Sequence, residues 1–469
     1  MPPIFLHNTL TGKKEEFKPI NPDEIGIYSC GPTVYWNQHI GHMYAYVQWD
    51  ALVRSLNYLS YKTKWVMNLT DVGHLTGDNE GDADTGEDKM EKGAKRESLT
   101  VWEIADKYIL QFKESLKMLN VLEPDILCRA TEHIEEQIKL IKKIETNGFT
   151  YKTKTGLVFD TEKFPQYSDF AHLHLENQNA GSRVKIDIEK KKPWDFLLWI
   201  TNQPDHIMKW ESPWGIGFPG WHIECTAMST KYLGETFDIH TGGIEHIPVH
   251  HTNEIAQAFG AFGHGTANYW LHNEWMLFEG QKISKSLGNS ILVSDLKEKG
   301  FNPLALRYLI LTTHYKTGIN FTWESLGGAQ TAYSKLKEII TELEKEIKES
   351  PSSLNQEIFD KYKKEFGLCL ADDLNVAKSI GLIWQIVKSK EINSKTKCEL
   401  ILDFDKVLGL KLDEKNKFEV PENVEVLIKN RDKARTEKNF TKSDKIRKEI
   451  ESLGFEVKDS PNGTFVTPR

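Results

Sequence analysis

The chain has 469 residues, of which 39% are hydrophobic and 27% charged, with a formal net charge of −8. That balance excludes an intrinsically disordered chain, and no stretch reaches the roughly 20 apolar residues that span a bilayer. Cys30, Cys128, Cys225, Cys369 and Cys398 are few, odd in number and far apart, and no basic segment leads into a long apolar run near the start; neither a disulfide framework nor a secretory signal is expected, and a reducing cytoplasm is.

In chain order, Ile25 to Ser29 predicts a short strand. Gly41 to Leu59 predicts a helix, with Tyr44, Val47, Leu52, Leu56 and Leu59 as its apolar marks, and Thr63 to Leu69 predicts a second strand. Strand–helix–strand at this spacing indicates a parallel α/β sheet, and the loop after the first strand is where such sheets bind nucleotides. Residues 76–98 are polar and Gly-containing, first acidic and then basic, which predicts a mobile surface loop; they lack the ordered ligand spacing of a calcium loop. Residues 100–215 mix predicted helices (Glu103 to Leu119, Glu132 to Asn147) with short strands (Gly156 to Asp160, Arg183 to Ile188), as an insertion between two halves of the nucleotide fold would. Strands return at Thr236 to His240 and Tyr269 to Met276, around a helix from Val249 to Phe262. After Asn302 the period is helical, over Leu304 to Thr312, Ser325 to Glu349 and, with breaks, Ile358 to Leu408. The tail predicts a helix and then a hairpin at Pro461-Asn462-Gly463.

Two strings carry nucleotide chemistry. His39-Ile40-Gly41-His42 opens the first helix, where Gly permits close backbone approach, the helix N-terminus favours anions and the imidazoles donate to charge on a phosphate. Lys282-Ile283-Ser284-Lys285-Ser286 offers lysines as point charges for phosphates. A third constellation carries metal chemistry. Cys30, Cys225, His250 and Glu254 form a plausible zinc set, with the last two four apart and on one face of a helix. Their neighbours His251 and Asn253 are the alternatives to be told apart. In the tail, nine Lys or Arg stand against three Asp or Glu from Ile428 to Lys448, a candidate polyanion contact despite the acidic total.

Read together, YSCGPTVY, HIGH, PGWHIECTAM, FDIHTGG, HHTNEIAQ, KISKSLGN and RDKARTEKNFTKSDKIRKEI resemble the cysteinyl-tRNA synthetases, a class I aminoacyl-tRNA synthetase family, over essentially the whole chain. The resemblance implies a Rossmann-like parallel-sheet catalytic domain with an α+β insertion, then an all-α bundle and a small anticodon-binding region. The expected bounds are 1–100 and 216–300 for the two catalytic halves, 101–215 for the insertion, 301–420 for the bundle and 421–469 for the tail. It implies L-cysteine, ATP and tRNA(Cys) as substrates, one Zn2+ on Cys30, Cys225, His250 and Glu254, and Mg2+ with ATP. His39, His42, Lys282 and Lys285 are the expected catalytic groups. Gly41, Gly243 and Glu245 join His39, His42 and Lys285 around ATP. Thr33, Trp221 and His240 line the amino-acid pocket, and Arg431, Arg435, Phe440, Asp444, Arg447 and Asp459 meet tRNA. A monomer without a membrane partner is expected. The chain departs from the family's usual strings at Val72-Gly73-His74-Leu75, at Pro248-Val249 and Thr252 around the ligand pair, at Glu245 where an Asp is usual, and at Ile283 in KISKS. An adenylate-forming ligase joining cysteine to an amino sugar, and a catalytically silent zinc protein that binds RNA, are the competing readings.

Overall fold

A strand that is buried on both faces must present apolar side chains in both directions, and the strands of the central sheet do. Phe5–Asn8 (β1) and Lys13–Glu16 (β2) form an antiparallel hairpin ahead of it. Ile25–Ser29 (β3), Ile40–Tyr58 (α1) and Thr63–Leu69 (β4) then form the predicted unit, with β3 and β4 parallel. The computed structural model describes residues 2–74, 88–172, 189–284, 288–414, 422–460 and 463–468; Lys285, the expected strand from Arg183 and most of the acidic half of the charged loop lie outside them.

The basic half of that loop is a correction. Lys89–Glu97 (α2) is a helix, capped by Asp88, whose carboxylate accepts from the Glu91 N–H, and it buries Met90, Gly93 and Ala94. Three small or flexible apolar residues are too weak a periodic signal to stand out among charges. Thr100 starts Val101–Met118 (α3) through a reciprocal cap with Glu103. Ile126–Arg129 (β5) pairs parallel with β4, so the central sheet reaches into a region the sequence reading gave to the insertion. Four residues with no alternation gave no reason to expect it.

Ile134–Thr146 (α4) leads to a four-stranded antiparallel sheet of Thr150–Lys152 (β6), Gly156–Phe159 (β7), Phe196–Ile200 (β8) and Phe218–Pro219 (β9), the body of the insertion. Trp221–Leu233 (α5), Phe237–Gly243 (β10), Thr252–Phe262 (α6) and Ala267–Asn273 (β11) complete the nucleotide fold. The five parallel strands run in the order β11-β10-β3-β4-β5. Chain progress reverses between β3 and β10, which makes their C-terminal ends the crevice where ligands bind in open α/β sheets. Alternation separates two cores: Ile27, Trp65 and Met67 face one, Tyr28 and Val66 the other.

Met276–Phe278 (β12) and Gln281–Lys282 (β13) are followed by Val293–Glu298 (α7), Pro303–Leu311 (α8) and Ile319–Phe321 (β14), which pairs with β12. The helical region is Trp323–Glu349 (α9), Gln356–Ala371 (α10), Val376–Lys388 (α11) and Ser394–Leu408 (α12). Its core is continuous with that of α1, so the bundle packs on the helix that follows β3. The tail holds two helices where one was expected, Glu422–Thr436 (α13) and Phe440–Ser452 (α14), then the hairpin of Phe455–Ser460 (β15) and Gly463–Pro468 (β16). Val424, Ile446, Ile450, Val457 and Val466 give this unit its own small core.

Candidate functional site

Cys30 is the first residue after β3, and its N–H donates to Thr241 O of β10, so the thiol stands at the sheet's reversal point. Gly31 follows for a steric reason. A Cβ there would lie 1.6 Å from Asn68 O, and its N–H donates to Asn68 Oδ1 at 2.8 Å. Cys225 comes from the second turn of α5, and its sulfur is 3.9 Å from that of Cys30. His250 and Glu254 approach from the third side, with Nε2 and Oε1 3.1 Å apart. The helix expected over Val249 to Phe262 is interrupted: Ile247–His251 forms a wide π turn before α6 begins. Such a turn displaces successive side chains. Here it lets both His250 and His251 face inward, both buried.

Two donor sets therefore meet. Cys30, Cys225, His250 and Glu254, the predicted set, offer ligand atoms that all lie within 4.8 Å of one another, and so do Cys30, His240, His251 and Glu254. His251 Nε2 is 3.3 Å from the Cys30 sulfur, and His240 Nε2 is 2.9 Å from Glu254 Oε2. Asn253 is no ligand: its Oδ1 accepts from the Tyr167 hydroxyl at 2.6 Å. Burial pushes the Cys30 thiol up. The neighbouring Cys30 thiol and then burial push Cys225 well above its ordinary value. Burial opposes the charged forms of His250 and Glu254 too, yet their partners win: Cys225 and Glu254 raise His250 to about 10, and His240 and His250 hold Glu254 down at about 2. A cation entering this cluster displaces thiol protons, so its binding strengthens as pH rises.

Partners outside the cluster orient it, and sequence reasoning missed them. His222 Nδ1 is 2.9 Å from His250 Nδ1, and burial pushes His222 well below its ordinary value; this contact engages His250 Nδ1 and leaves His250 Nε2 for the cluster. His251 Nδ1 meets His272 Nε2 at 2.6 Å, and His272 Nδ1 meets Thr9 Oγ1 at 2.8 Å. The doubled His in the chain signalled His251; nothing local signals His272 or Thr9. His240, expected as a pocket wall, is fully buried and stacked on Trp270, with centroids 4.3 Å apart. Trp221, at the start of α5, stands 4.6 Å from the His250 ring and is half-buried, where a pocket wall would be. Thr33 pairs with Thr70 across the same crevice.

The nucleotide strings meet as well. The His39 and His42 rings stack 3.7 Å apart in the first turn of α1, and His39 N–H donates to His42 Nδ1 at 3.2 Å. A Cβ on Gly41 would lie 3.0 Å from the His39 ring and 3.2 Å from Ile283 Cδ1, so the KISKS segment packs on the bare backbone of HIGH. Ile40 N–H donates to Ile291 O at 2.8 Å. Lys282 lies 5.2 Å from the Trp275 ring, and the Trp275 indole donates to Glu245 Oε2 at 2.8 Å. The Glu245 carboxylate fills the space a Gly243 Cβ would need, 2.3 Å from it.

In the tail, Arg435, Phe440 and Asp444 are exposed, Phe440 at 61%. Arg447 is partly occupied by Glu451 at 3.0 Å and Val457 O at 3.1 Å. Arg431 departs from the expectation of a surface contact. It is 1% exposed and donates to Thr464 Oγ1, because the hairpin folds back over α13. Asp459 pairs through its backbone with Thr464.

Residues 16–331 match the family model of the class I (C) tRNA synthetase catalytic domain, and residues 418–466 that of the cysteinyl-tRNA ligase anticodon binding domain. A cysteine–tRNA ligase of Treponema denticola is 42% identical and one of Thermus thermophilus 39% identical, each alignment covering 98% of both chains. Among solved structures, the fold matches a Mycobacterium tuberculosis methionyl-tRNA synthetase with TM-score 0.56 at 14% identity, over 83% of this chain and 90% of that one. It also matches the Agrobacterium radiobacter leucyl-tRNA synthetase with TM-score 0.60 at 11% identity, over 85% of each chain. The chain belongs to the cysteinyl-tRNA ligase family of class I tRNA synthetases.

Proposed function

We propose that, as a member of that family, this chain is a cysteine–tRNA ligase: it activates L-cysteine with ATP to the adenylate and esterifies tRNA(Cys). The observation that carries the reading is the Cys30, Cys225, His250 and Glu254 cluster at the reversal point of a sheet whose first crossover helix, α1, opens with the HIGH histidines. Two sulfurs on one tetrahedral zinc stand about 3.8 Å apart, given Zn–S distances of about 2.3 Å. The 3.9 Å between Cys30 and Cys225 fits that cation, as does a donor set of two thiols, an imidazole and a carboxylate. Zinc held there supplies a soft Lewis acid for the substrate's thiol. Selectivity needs it, because shape alone separates near-isosteres such as serine and cysteine by only roughly 1–3 kcal/mol.

The remaining steps belong to the chain's own residues. Trp221 walls the amino acid in beside His250. His39 and His42, with Lys282 and Lys285, donate to charge developing on the α-phosphate as the substrate carboxylate attacks and pyrophosphate leaves; Mg2+ accompanies the phosphates. Gly41 and Gly243 admit the nucleotide to the backbone, and Glu245 turns to the ribose on release from Trp275. Arg435, Phe440, Asp444 and Arg447 read splayed anticodon bases by stacking and hydrogen bonding, with Arg431 bracing α13 from within. The two catalytic halves keep their expected places with β5 added to the first, the antiparallel sheet from β6 to β9 acts as the insertion, 301–420 as the bundle and 421–469 as the anticodon unit. No described helix is long and apolar enough to cross a membrane; the proposed setting is the cytoplasm, and the proposed form a monomer.

A paired assay tests the reading. Cysteine-dependent ATP–pyrophosphate exchange is expected without tRNA, and cysteinylation with it. Exchange without charging would reassign the chain to a small-molecule ligase, and RNA binding without exchange to a silent protein.

A further inference from the structure

Lys89 is the first residue of α2, and its backbone is pinned from three directions. Asp88 before it is buried and caps the helix. Its second oxygen accepts from His206 Nε2 at 2.9 Å, and His206 stacks on Phe218 of the insertion at 3.8 Å. Gly73 has no side chain because the Asp88 carboxylate occupies the place, 2.1 Å from where a Cβ would stand. Lys89 N–H donates to His74 O at 3.1 Å, and His74 Nε2 bonds Glu224 Oε1 at 2.6 Å. Glu224 lies in the first turn of α5, the helix that begins with Trp221. Buried hydrogen bonds thus hold Lys89 and Trp221 in fixed relation, unlike a lysine resting on a surface ring.

The Lys89 ammonium sits 5.6 Å from the Trp221 ring, and the same ring is 4.6 Å from His250. The side chain is half-buried, and among the described residues no carboxylate lies within ion-pair distance of it. A partly desolvated ammonium loses hydration that an indole face restores only in part, roughly 0.5–2 kcal/mol. The neighbouring Asp88 carboxylate favours the charge but is itself held by His206 and the Glu91 N–H, which leaves the ligand side to supply a direct partner. The sulfur and carboxylate of one cysteine stand about 4–5 Å apart when extended, so a thiol engaged beside His250 directs its carboxylate along Trp221 toward Lys89.

We propose that Lys89 binds the carboxylate of the incoming amino acid, as the anion-recognising end of a pocket whose thiol-recognising end is the Cys30 and Cys225 cluster. The inference rests on the cysteine-activating reading above and names a substrate contact that reading lacks. Lys89 also offsets the repulsion between that carboxylate and the α-phosphate as they approach.

Lys89→Met keeps the length of the side chain and removes the charge. Its KM for cysteine in pyrophosphate exchange is expected to rise about ten- to hundredfold, with KM for ATP and for tRNA within about twofold. Bound zinc and the unfolding midpoint should not change, and Lys89→Arg should recover part of the loss. Cysteamine, which keeps the thiol and amine but has no carboxylate, is the discriminating probe. Its inhibition constant should be the same for wild type and variant. An unchanged KM for cysteine overturns the proposal. So does an equal loss for cysteamine, which would mean packing, and a rise confined to ATP or tRNA, which would place a phosphate at Lys89. A wild-type protein with no cysteine-dependent exchange would sink the function reading instead; calorimetric binding of cysteine against cysteamine would then still test Lys89 by itself.

Discussion

Replacing Arg307 by Met tests what holds the HIGH helix against the helical bundle. The Arg307 guanidinium is fully buried and donates to Leu408 O at 2.5 Å, to Leu119 O at 3.1 Å, to Asn120 O at 3.2 Å and to Asp50, which lies in α1. Removing it is not equally costly to all four. Asp50 keeps Arg54 at 2.9 Å and the Leu122 N–H at 2.7 Å, and Asn120 O keeps Arg54 Nη2 at 2.8 Å. The orphaned groups are the carbonyls at the ends of α12 and α3. Each unsatisfied buried carbonyl costs about 1–3 kcal/mol. Met restores apolar contact and spares the desolvation of a guanidinium, which leaves a net loss of about 2–4 kcal/mol. Asp50→Leu leaves the Arg307 charge buried facing carbonyls alone and should cost more, about 3–5 kcal/mol. The double variant, with neither charge at that contact, should cost clearly less than the two singles added. Urea unfolding midpoints for the four proteins check this. A loss below about 0.5 kcal/mol for Arg307→Met, or simple additivity, would refute the idea that this cation clamps the ends of α3 and α12 to α1.

On the proposed reading, in which the cluster grips sulfur and not phosphate, Cys225→Ser should raise KM for cysteine by more than about a hundredfold while ATP affinity stays within a few-fold; equal losses would make the site merely structural. Gly31→Ala should cost more than about 4 kcal/mol or abolish soluble expression, because the new methyl meets the Asn68 carbonyl rather than a side chain that can move. Burial opposes the Glu97 carboxylate, but Lys107, Tyr108 and Arg96 outweigh it and hold Glu97 down at about 2, against an ordinary 4.5. Its stabilisation is therefore complete above pH 4.5 and is lost as pH falls toward 2. At a screened, part-exposed site it amounts to about 1 kcal/mol, and Glu97→Gln should flatten the acid limb of the stability curve by that much. Phe440→Ala should raise KM for tRNA about tenfold or more with pyrophosphate exchange unchanged.

Much of the site was legible because its chemistry demands uncommon residues in short strings. HIGH and KISKS are weak signals singly and gain meaning from their order along the chain, and Cys30, Cys225, His250 and Glu254 become meaningful beside them. The partners were illegible because they act through the sheet. His272 reaches His251 only because β11 lies beside β10, and Thr9 reaches His272 only because the first hairpin folds onto β11. Asp88 and Lys89 read as loop because their helix buries just three small or flexible apolar residues.

Period and composition alone determined the parallel α/β core and the helical half that follows it, and side-chain chemistry pointed to one candidate donor set, since each is a local property of spacing or of residue type. Tertiary structure alone decided that two donor sets compete at Cys30 and that Arg431 faces inward. It alone set Lys89 against Trp221. Those facts depend on which distant segments pack together and how a π turn aims adjacent histidines, and neither is written in any single stretch of chain.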